Sequence, residues 1–285
     1  MNFILRPGKP EDAEACGAIC YNAFKAIADA HHFPPDFPDT EMAVGLMNFG
    51  FSNSGIYSVV AEADGLIVGS NFLWESSFVG GVGPITVDPT CQNAEVGKKL
   101  MENVLHRAED LKLASVRLVQ AAYHNRSLAL YTKLGFDVKE PLSVIQGTPP
   151  GIHFPGYDVR PANESDLISC NQLCYKIHGH DRSQELSGAI KAGTLFVVEY
   201  DGNITGYTTQ VGFLGHTIAA TNTGLKALIG TSAIFAGPGF LLPSRNAEVL
   251  RWCLQNGLRI VEPMTLMSKG LYNDPAVAFL PSVLY

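Results

Sequence analysis

The feature that most constrains this chain is that it repeats itself. RPGKPEDAEACGAICY (6–21) aligns without a gap on RPANESDLISCNQLCY (160–175). Arg6/Arg160, Pro7/Pro161, Asp12/Asp166, Cys16/Cys170, Cys20/Cys174 and Tyr21/Tyr175 coincide at one offset, 154. Six identities in sixteen positions point to a duplicated unit. Each copy opens on a short strand, a polar turn and an amphipathic helix. The echo continues in VVAEADGLIVG (59–69) and FVVEYDGNITG (196–206). There two apolar runs flank Asp-Gly, which supplies the positive φ of a tight hairpin turn. A third pair is HNRSLALYTKLGF (124–136) and NAEVLRWCLQNGL (246–258), with Tyr131 opposite Cys253 and Gly135 opposite Gly257. Such a chain is expected to hold two copies of one α/β unit. The Pro- and Gly-rich GTPPGIHFPG (147–156) marks the joint. The expected division is 1–147, a linker at 148–156, and 157–285.

The 285 residues suit two domains, and 46% hydrophobic content supplies a core for each. The net charge is −7 and no Lys/Arg-rich run occurs, so no nucleic acid and no anionic membrane is expected as a partner. The longest apolar runs fall well short of the roughly 20 residues of a bilayer span. MNFILRPGKPEDAEA lacks a basic segment followed by a sustained apolar one, so a cytoplasmic protein is expected. Cys16/Cys20 and Cys170/Cys174 share i,i+4 spacing on helix-like segments. Two thiolates on one face can bind a metal, but no second Cys/His pair at ligand spacing accompanies either. They read as small core residues, and no metal is expected.

The copies differ in length. The offset falls from 154 to 137 between the first helix and the hairpin, so copy one carries 17 more residues there. They include AHHFPPDFPD (30–39), whose three Pro and two Phe predict a structured loop. Asp36 and Asp39, with Phe33 and Phe37, can recognise a cationic amine from that loop, or can be ordinary turn residues.

In the middle of copy one, Pro84–Val87 is β-rich and Asp88–Ala94 is polar. A helix is expected from Glu95 to about Leu111, with Val96, Leu100, Val104 and Leu105 on one face. Ser115–Gln120 alternates as a strand. A strand feeding a polar loop that opens a helix presents unpaired N–H groups and the positive end of the helix dipole. That suits a phosphate or pyrophosphate, although many such units bind nothing.

Three features occur in order: the Asp-Gly hairpin, Val-Asp-Pro-x-x-Gln-x-x-x-x-Gly (87–97), and Asn-Arg-Ser-Leu-Ala-Leu-Tyr-x-x-Leu-Gly-Phe (125–136). This series resembles the GNAT superfamily of acetyl-CoA-dependent N-acetyltransferases over nearly all of copy one. The resemblance implies an α/β (α+β) fold of two tandem GNAT-like domains, each a mostly antiparallel mixed sheet flanked by helices. It implies acetyl-CoA as the acetyl donor. The backbone from Gln92 through Asn93, Ala94, Glu95, Val96, Gly97 and Lys98 would hold its pyrophosphate. The strand residues Ile85, Thr86 and Val87 would hydrogen-bond the pantetheine, with Asn125 and Ser127 close by. Tyr131 would give a proton to the leaving thiolate, for which a phenol with pKa near 10 suffices. From the helix alone, Tyr131 reads rather as a core residue; the loop motif upstream turns the reading toward the acid.

The match departs at two places in copy one. Glu95 stands where the family's first motif Gly is expected, and a carboxylate beside a pyrophosphate is repulsive; Lys98 and Lys99 are placed to offset it. His124 stands where the family usually has Asn. Copy two lacks the Gln-x-x-Gly-x-Gly loop and carries Cys253 for Tyr131, so it reads as a degenerate domain that packs against copy one. Candidates for the base that takes the amine proton are Glu75, His31, His32 and His124. The expected activity is acetyl transfer from acetyl-CoA to a small-molecule or peptide amine by direct attack in a ternary complex. The alternative is a non-catalytic acyl-CoA-binding pseudo-acetyltransferase. Fusion of two copies leads us to expect a monomer with intramolecular domain pairing.

Overall fold

The computed structural model describes residues 2–92, 95–275 and 278–284. The chain divides into two compact units. The first runs to Asp137 and includes Ser268–Gly270; the second holds Val138–Met267 and Leu271–Val283.

The first unit begins with β1 (Ile4–Pro7), α1 (Ala13–His31) and α2 (Thr40–Ser52). The hairpin β2 (Ile56–Ala63) and β3 (Leu66–Trp74) follows, then β4 (Val79–Val82) and the short β5 (Thr86–Val87). α3 (Val96–Asp110), β6 (Ser115–Ala121) and α4 (Asn125–Lys133) complete it. The hairpin turns on Asp64 and Gly65 at φ 51° and 78°, as Asp-Gly predicts. Strand order is β1-β2-β3-β4-β6, with β5 pairing only β3. The pairs are antiparallel except β4–β6, which is parallel. β4 and β6 pair at Val79–Ser115, Gly80–Val116 and Gly81–Arg117, and no further. Beyond that point β6 continues to Ala121, while the other strand turns through Gly83–Pro84 into β5. The two parallel strands therefore part toward their C-terminal ends.

α3 buries Val96, Leu100, Met101, Val104, Leu105 and Ala108. The four apolar positions expected from its periodicity are among them. α1 and α2 bury Cys16, Cys20, Ala43 and Met47 against Val60 and Phe72. α1 runs into the Pro-rich segment and stops at His32, φ 60°; the loop follows.

The second unit holds β7 (Asp137–Gln146, from Val138), β8 (Tyr157–Pro161), α5 (Leu167–His178) and α6 (Ser183–Lys191). It continues with β9 (Phe196–Tyr200), β10 (Asn203–Thr208), β11 (Thr217–Ala219) and α7 (Asn222–Thr231). β12 (Phe240–Pro243), α8 (Ala247–Gln255), β13 (Arg259–Gly270) and β14 (Ala278–Leu280) end it. Its β9–β10 hairpin repeats the Asp-Gly turn at Asp201 and Gly202, φ 53° and 70°. One sheet runs β14-β11-β10-β9-β8, and β7 lies between β13 and β12. Cys170, Cys174, Leu186 and Tyr207 fill one core cluster, and Ile229, Phe240, Val249 and Cys253 another.

The identities of the repeat have a structural cause. Arg6 donates to both oxygens of Asp12 at 2.8 and 2.9 Å and to Glu62 at 2.8 Å. Arg160 makes the same contacts with Asp166 and Glu199. Each Asp also accepts a backbone N–H, from Lys9 or Asn163, which fixes the turn into the first helix. The guanidinium beside it holds Asp12 below the ordinary carboxylate range, and Arg160 does the same to Asp166.

The repeat boundary at 147 and the compact units part at β7. This strand follows α4 as β13 follows α8, and Glu140-Pro141 matches Glu262-Pro263. Yet from Val138 it belongs to the second unit, pairing β12 from Phe240–Ile145 to Pro243–Leu142. Ser268–Gly270 at the end of β13 belong to the first unit, where the Ser268 and Ser115 hydroxyls lie 2.9 Å apart. The segment 148–156 is pinned within the second unit. The Ile152 N–H donates to Gly230 at 3.2 Å, and Phe154 packs on Ala227 and Leu228.

Candidate active site

The parting of β4 and β6 leaves a gap between their C-terminal ends in the first unit, beside β5 and the end of β6. The N-terminus of α3 comes to it over Val87 and Leu130. A Cβ built on Gly97 would lie 3.6 Å from the first and 3.9 Å from the second. Ile85, Thr86 and Val87 line the β5 side, and Thr86 is buried with its hydroxyl 3.3 Å from Ser70. One edge of β5 pairs β3 and the other has no strand partner among the described residues.

Lys99 is the first residue of α3 to close a helical hydrogen bond, to the Glu95 carbonyl at 3.0 Å. The N–H groups of Val96, Gly97 and Lys98 have no partner among the described residues. These are the orphan donors of a helix start. Asn93 and Ala94, expected in this loop, lie outside the described residues. Glu95 takes up the left-handed conformation that the loop motif gives to Gly, at φ 62°. That conformation costs a non-glycine residue roughly 1–2 kcal/mol. Its side chain is 70% exposed, with Lys98 Nζ 3.9 Å away, so water and a cation screen the carboxylate. Lys98 also reaches Glu102, and Lys99 pairs Glu102 at 2.9 Å. Gln92 accepts from Arg126 at 3.0 Å, which ties the loop to α4.

Gly97 is helical and meets only ordinary contact distances, so packing does not require a glycine there. Gly97→Ala is expected to raise the melting temperature by a few degrees, as about 1 kcal/mol of helix propensity predicts. It should at the same time weaken binding of a phosphate-bearing ligand tenfold or more by filling the approach to the helix-start N–H groups. Calorimetric melting beside ligand titration reads both signs.

α4 supplies the polar side of the gap. His124, Ser127 and Tyr131 share one face of it, at i, i+3 and i+7. Ser127 donates to Gln120 on β6 at 2.7 Å, so this face is turned to β6. Tyr131 is 7% exposed, edge-on to Phe136 at 6.2 Å, and its hydroxyl makes no hydrogen bond among the described residues. Burial pushes the phenol above its ordinary value, so it stays protonated. Asn125 is exposed at the helix start. His124 is half-buried at the N-cap; burial, then Arg126 and His31, hold its imidazole below the ordinary range. It is therefore neutral near pH 7 and able to accept a proton.

Glu75 is held elsewhere. Both its oxygens accept from Arg107 on α3, at 2.9 and 2.7 Å. This bidentate pair engages both carboxylate oxygens of Glu75. Arg107 is also 5.4 Å from the Tyr57 ring centroid. His31 and His32 are exposed; His31 donates through Nδ1 to Ile27 at 2.9 Å.

The Pro-rich loop meets the β6–α4 turn through aromatic rings. Phe33 stacks on Tyr123 at 4.2 Å and 10°, and His31 packs on the same ring at 5.1 Å. This brings the loop beside His124. Asp36 is half-buried, no cation pairs with it among the described residues, and burial pushes it up to about 6. Asp39 caps α2 by accepting from the Met42 N–H at 2.8 Å, an ordinary capping role. Phe37 packs edge-on against Phe24.

The sequence profile of the acetyltransferase (GNAT) family matches residues 22–136. The first unit belongs to the acetyltransferase (GNAT) family. The match spans α2, the hairpin, the gap and α4, so the GNAT domain contains the whole site. Solved structures extend the likeness to the second unit as fold. A protein from Pyrococcus horikoshii assigned as an acetyltransferase is 16% identical with TM-score 0.74, over 99% of this chain and 94% of that one. A GCN5-related N-acetyltransferase from Sphaerobacter thermophilus is 15% identical with TM-score 0.63, over 95% and 96%. A tandem GNAT protein from the clavulanic acid biosynthesis pathway is 12% identical with TM-score 0.56, over 95% and 100%. The chain thus has the tandem GNAT fold. No curated protein sequence gives a match.

Two observations favour a coenzyme A-type ligand in the GNAT domain. Three helix-start N–H groups have no partner among the described residues, beside a glycine that packing does not require. The Tyr131 hydroxyl and the buried Gln120 Nε2 have no hydrogen-bond partner among the described residues. Residues 219–237 of the second unit offer no matching loop. Cys253 there is buried, which pushes its thiol up to about 12 and makes it a poor nucleophile. All six cysteines are free thiols. Among the described residues no group of three His, Cys, Asp or Glu is arranged to hold a metal ion, and no helix is long and apolar enough to cross a membrane.

Proposed function

We propose that the protein is an N-acetyltransferase that moves an acetyl group from acetyl-CoA to the amine of a small molecule or peptide. The Tyr131 hydroxyl, at the tip of a largely buried side chain and without a partner among the described residues, carries this reading. Acetyl-CoA supplies an activated acyl group when bound. The helix-start N–H groups of Val96, Gly97 and Lys98 would hold its pyrophosphate, with Gln92 ordering the loop. Backbone groups of Ile85, Thr86 and Val87 would hold the pantetheine and polarise the acyl carbonyl. A water relay takes the proton of the attacking amine as the C–N bond forms. Tyr131 gives its proton to sulfur as the C–S bond breaks, and its phenol is reset by exchange with water. Positioning of the amine against the thioester supplies much of the rate. The half-buried Asp36 and the Phe33–Tyr123 stack suit a cationic acceptor entering from the loop side. We place the enzyme in the cytoplasm, as a monomer.

The test is a thermal-shift titration with acetyl-CoA on wild type and Glu95→Gly. A ligand at one hundred times its Kd adds about 2.7 kcal/mol. Wild type is expected to shift, and Glu95→Gly to shift further, with affinity raised about tenfold by loss of the carboxylate. No shift in either protein rejects the donor site. A shift without turnover on any amine in a broad screen would support the acyl-CoA-binding reading.

A further inference from the structure

Gln120 lies near the end of β6, beyond Arg117, the last residue to pair with β4. It is 6% exposed. Its Oε1 accepts from Ser127 Oγ at 2.7 Å. The other neighbour of that hydroxyl, the His124 carbonyl at 2.9 Å, already receives the N–H groups of Ser127 and Leu128 at 3.1 and 3.2 Å. The single hydroxyl proton has two acceptors in reach, and we place it on the nearer one, Gln120 Oε1. This fixes the amide with Oε1 toward α4, and Nε2 is left buried with no partner among the described residues. A buried amide donor left unmade is costly, and native structures keep one only for a reason.

The fold does not supply that reason. The third repeat pair sets His124 on Asn246, which sets Gln120 on Leu242. Leu242 occupies the equivalent strand position of copy two and is fully buried. An apolar residue satisfies this position, so the amide of copy one serves something else. Ser127 and Tyr131 are neighbours one turn apart on α4. The orphan donor thus sits one helical turn from Tyr131, toward the helix start.

We propose that Gln120 is a positioning residue for the acyl-donor arm, its Nε2 donating to an amide carbonyl of pantetheine. In that arm the first amide carbonyl follows the sulfur after two methylenes and a nitrogen, on the side away from the acyl group. A donor displaced one turn from the thiolate's acid matches that order. The inference rests on acetyl-CoA being the donor, and the test separates the two. Gln120→Met keeps the volume and removes the donor; Gln120→Leu, the residue of copy two, is a second variant. Each is titrated calorimetrically with acetyl-CoA and with 3′-phospho-ADP, which carries the nucleotide phosphates and no pantetheine.

Wild type is expected to bind both ligands. Both variants should lose about fivefold to tenfold in affinity for acetyl-CoA, as one hydrogen bond predicts, and nothing for 3′-phospho-ADP. Without ligand they should melt at or above the wild-type temperature, because a buried orphan is gone. A structural role would lower the melting temperature and affect both ligands alike, which overturns the inference. Unchanged acetyl-CoA affinity also overturns it and leaves the donor reading standing. Failure of wild type to bind acetyl-CoA overturns both.

Discussion

Replacing Tyr131 by Phe is expected to lower kcat by about 10²–10⁴-fold, the usual contribution of a positioned general acid. The KM for acetyl-CoA should hardly change, because the ring keeps its place against Phe136. Folding stability should be unchanged or slightly higher, since the lost hydroxyl has no partner among the described residues. Two readouts accompany the rate. Burial holds the phenol above its ordinary value. An acid is lost as pH rises through its pKa, so any alkaline fall of wild-type kcat that comes from Tyr131 lies above about pH 10 and is absent from the variant. Single-turnover kinetics with preloaded acetyl-CoA place the loss in chemistry. A kcat within twofold of wild type would remove Tyr131 from the mechanism and leave it a core residue.

Replacing Arg245 by Met should cost the second unit about 3 kcal/mol at pH 7. Glu140 on β7 is 2% exposed, and both its oxygens accept from Arg245 Nε, at 2.9 and 2.7 Å. Removing one partner of a buried pair strands the other charge; the figure sits at the low end because the Arg245 side chain is 55% exposed. The two partners tell different stories. Glu140 raises Arg245, which reflects attraction, whereas Glu140 itself is raised because burial outweighs the pull of Arg245. Burial decides for the carboxylate, being the larger effect on the less exposed group. The sign of the pH dependence follows. A carboxyl whose folded pKa is raised contributes stability below its unfolded pKa and loses it as pH rises through the folded value. The variant raises that value further, so its deficit should be small near pH 4.5 and widen to the full amount by pH 7. Adding Glu140→Gln should recover most of it. Equal deficits at both pH values would mean that lost packing, rather than a stranded charge, is responsible.

Much of this protein is determined locally and could be read from the sequence. The Asp-Gly turns adopt positive φ because those two residues tolerate it best. α3 buries its expected face because the spacing of Val96, Leu100, Val104 and Leu105 allows no other. The duplicated Arg-Pro and Asp fix the same ion pairs in both units. Tyr131 lands on a short helix that ends at Gly135, φ 92°, and Phe136. The expected helix start at Glu95 was one residue early, because Glu95 itself adopts the left-handed conformation and α3 begins at Val96.

Tertiary structure decided what depends on partners distant in sequence. β7 and β13 carry nearly the same motif, so their sequences cannot say which unit each will complete. Edge pairing with β12 decides it for β7. Glu75 looks like a free strand-end carboxylate until α3 brings Arg107 against it. Gln120 reads as one polar residue in an alternating strand. Only the parting of β4 and β6, with Ser127 holding one end of its amide, leaves the other end buried and unpaired. Periodicity sets which face of an element is apolar. Which polar group on that face lacks a partner is set by packing between elements, and packing is where a site acquires its chemistry.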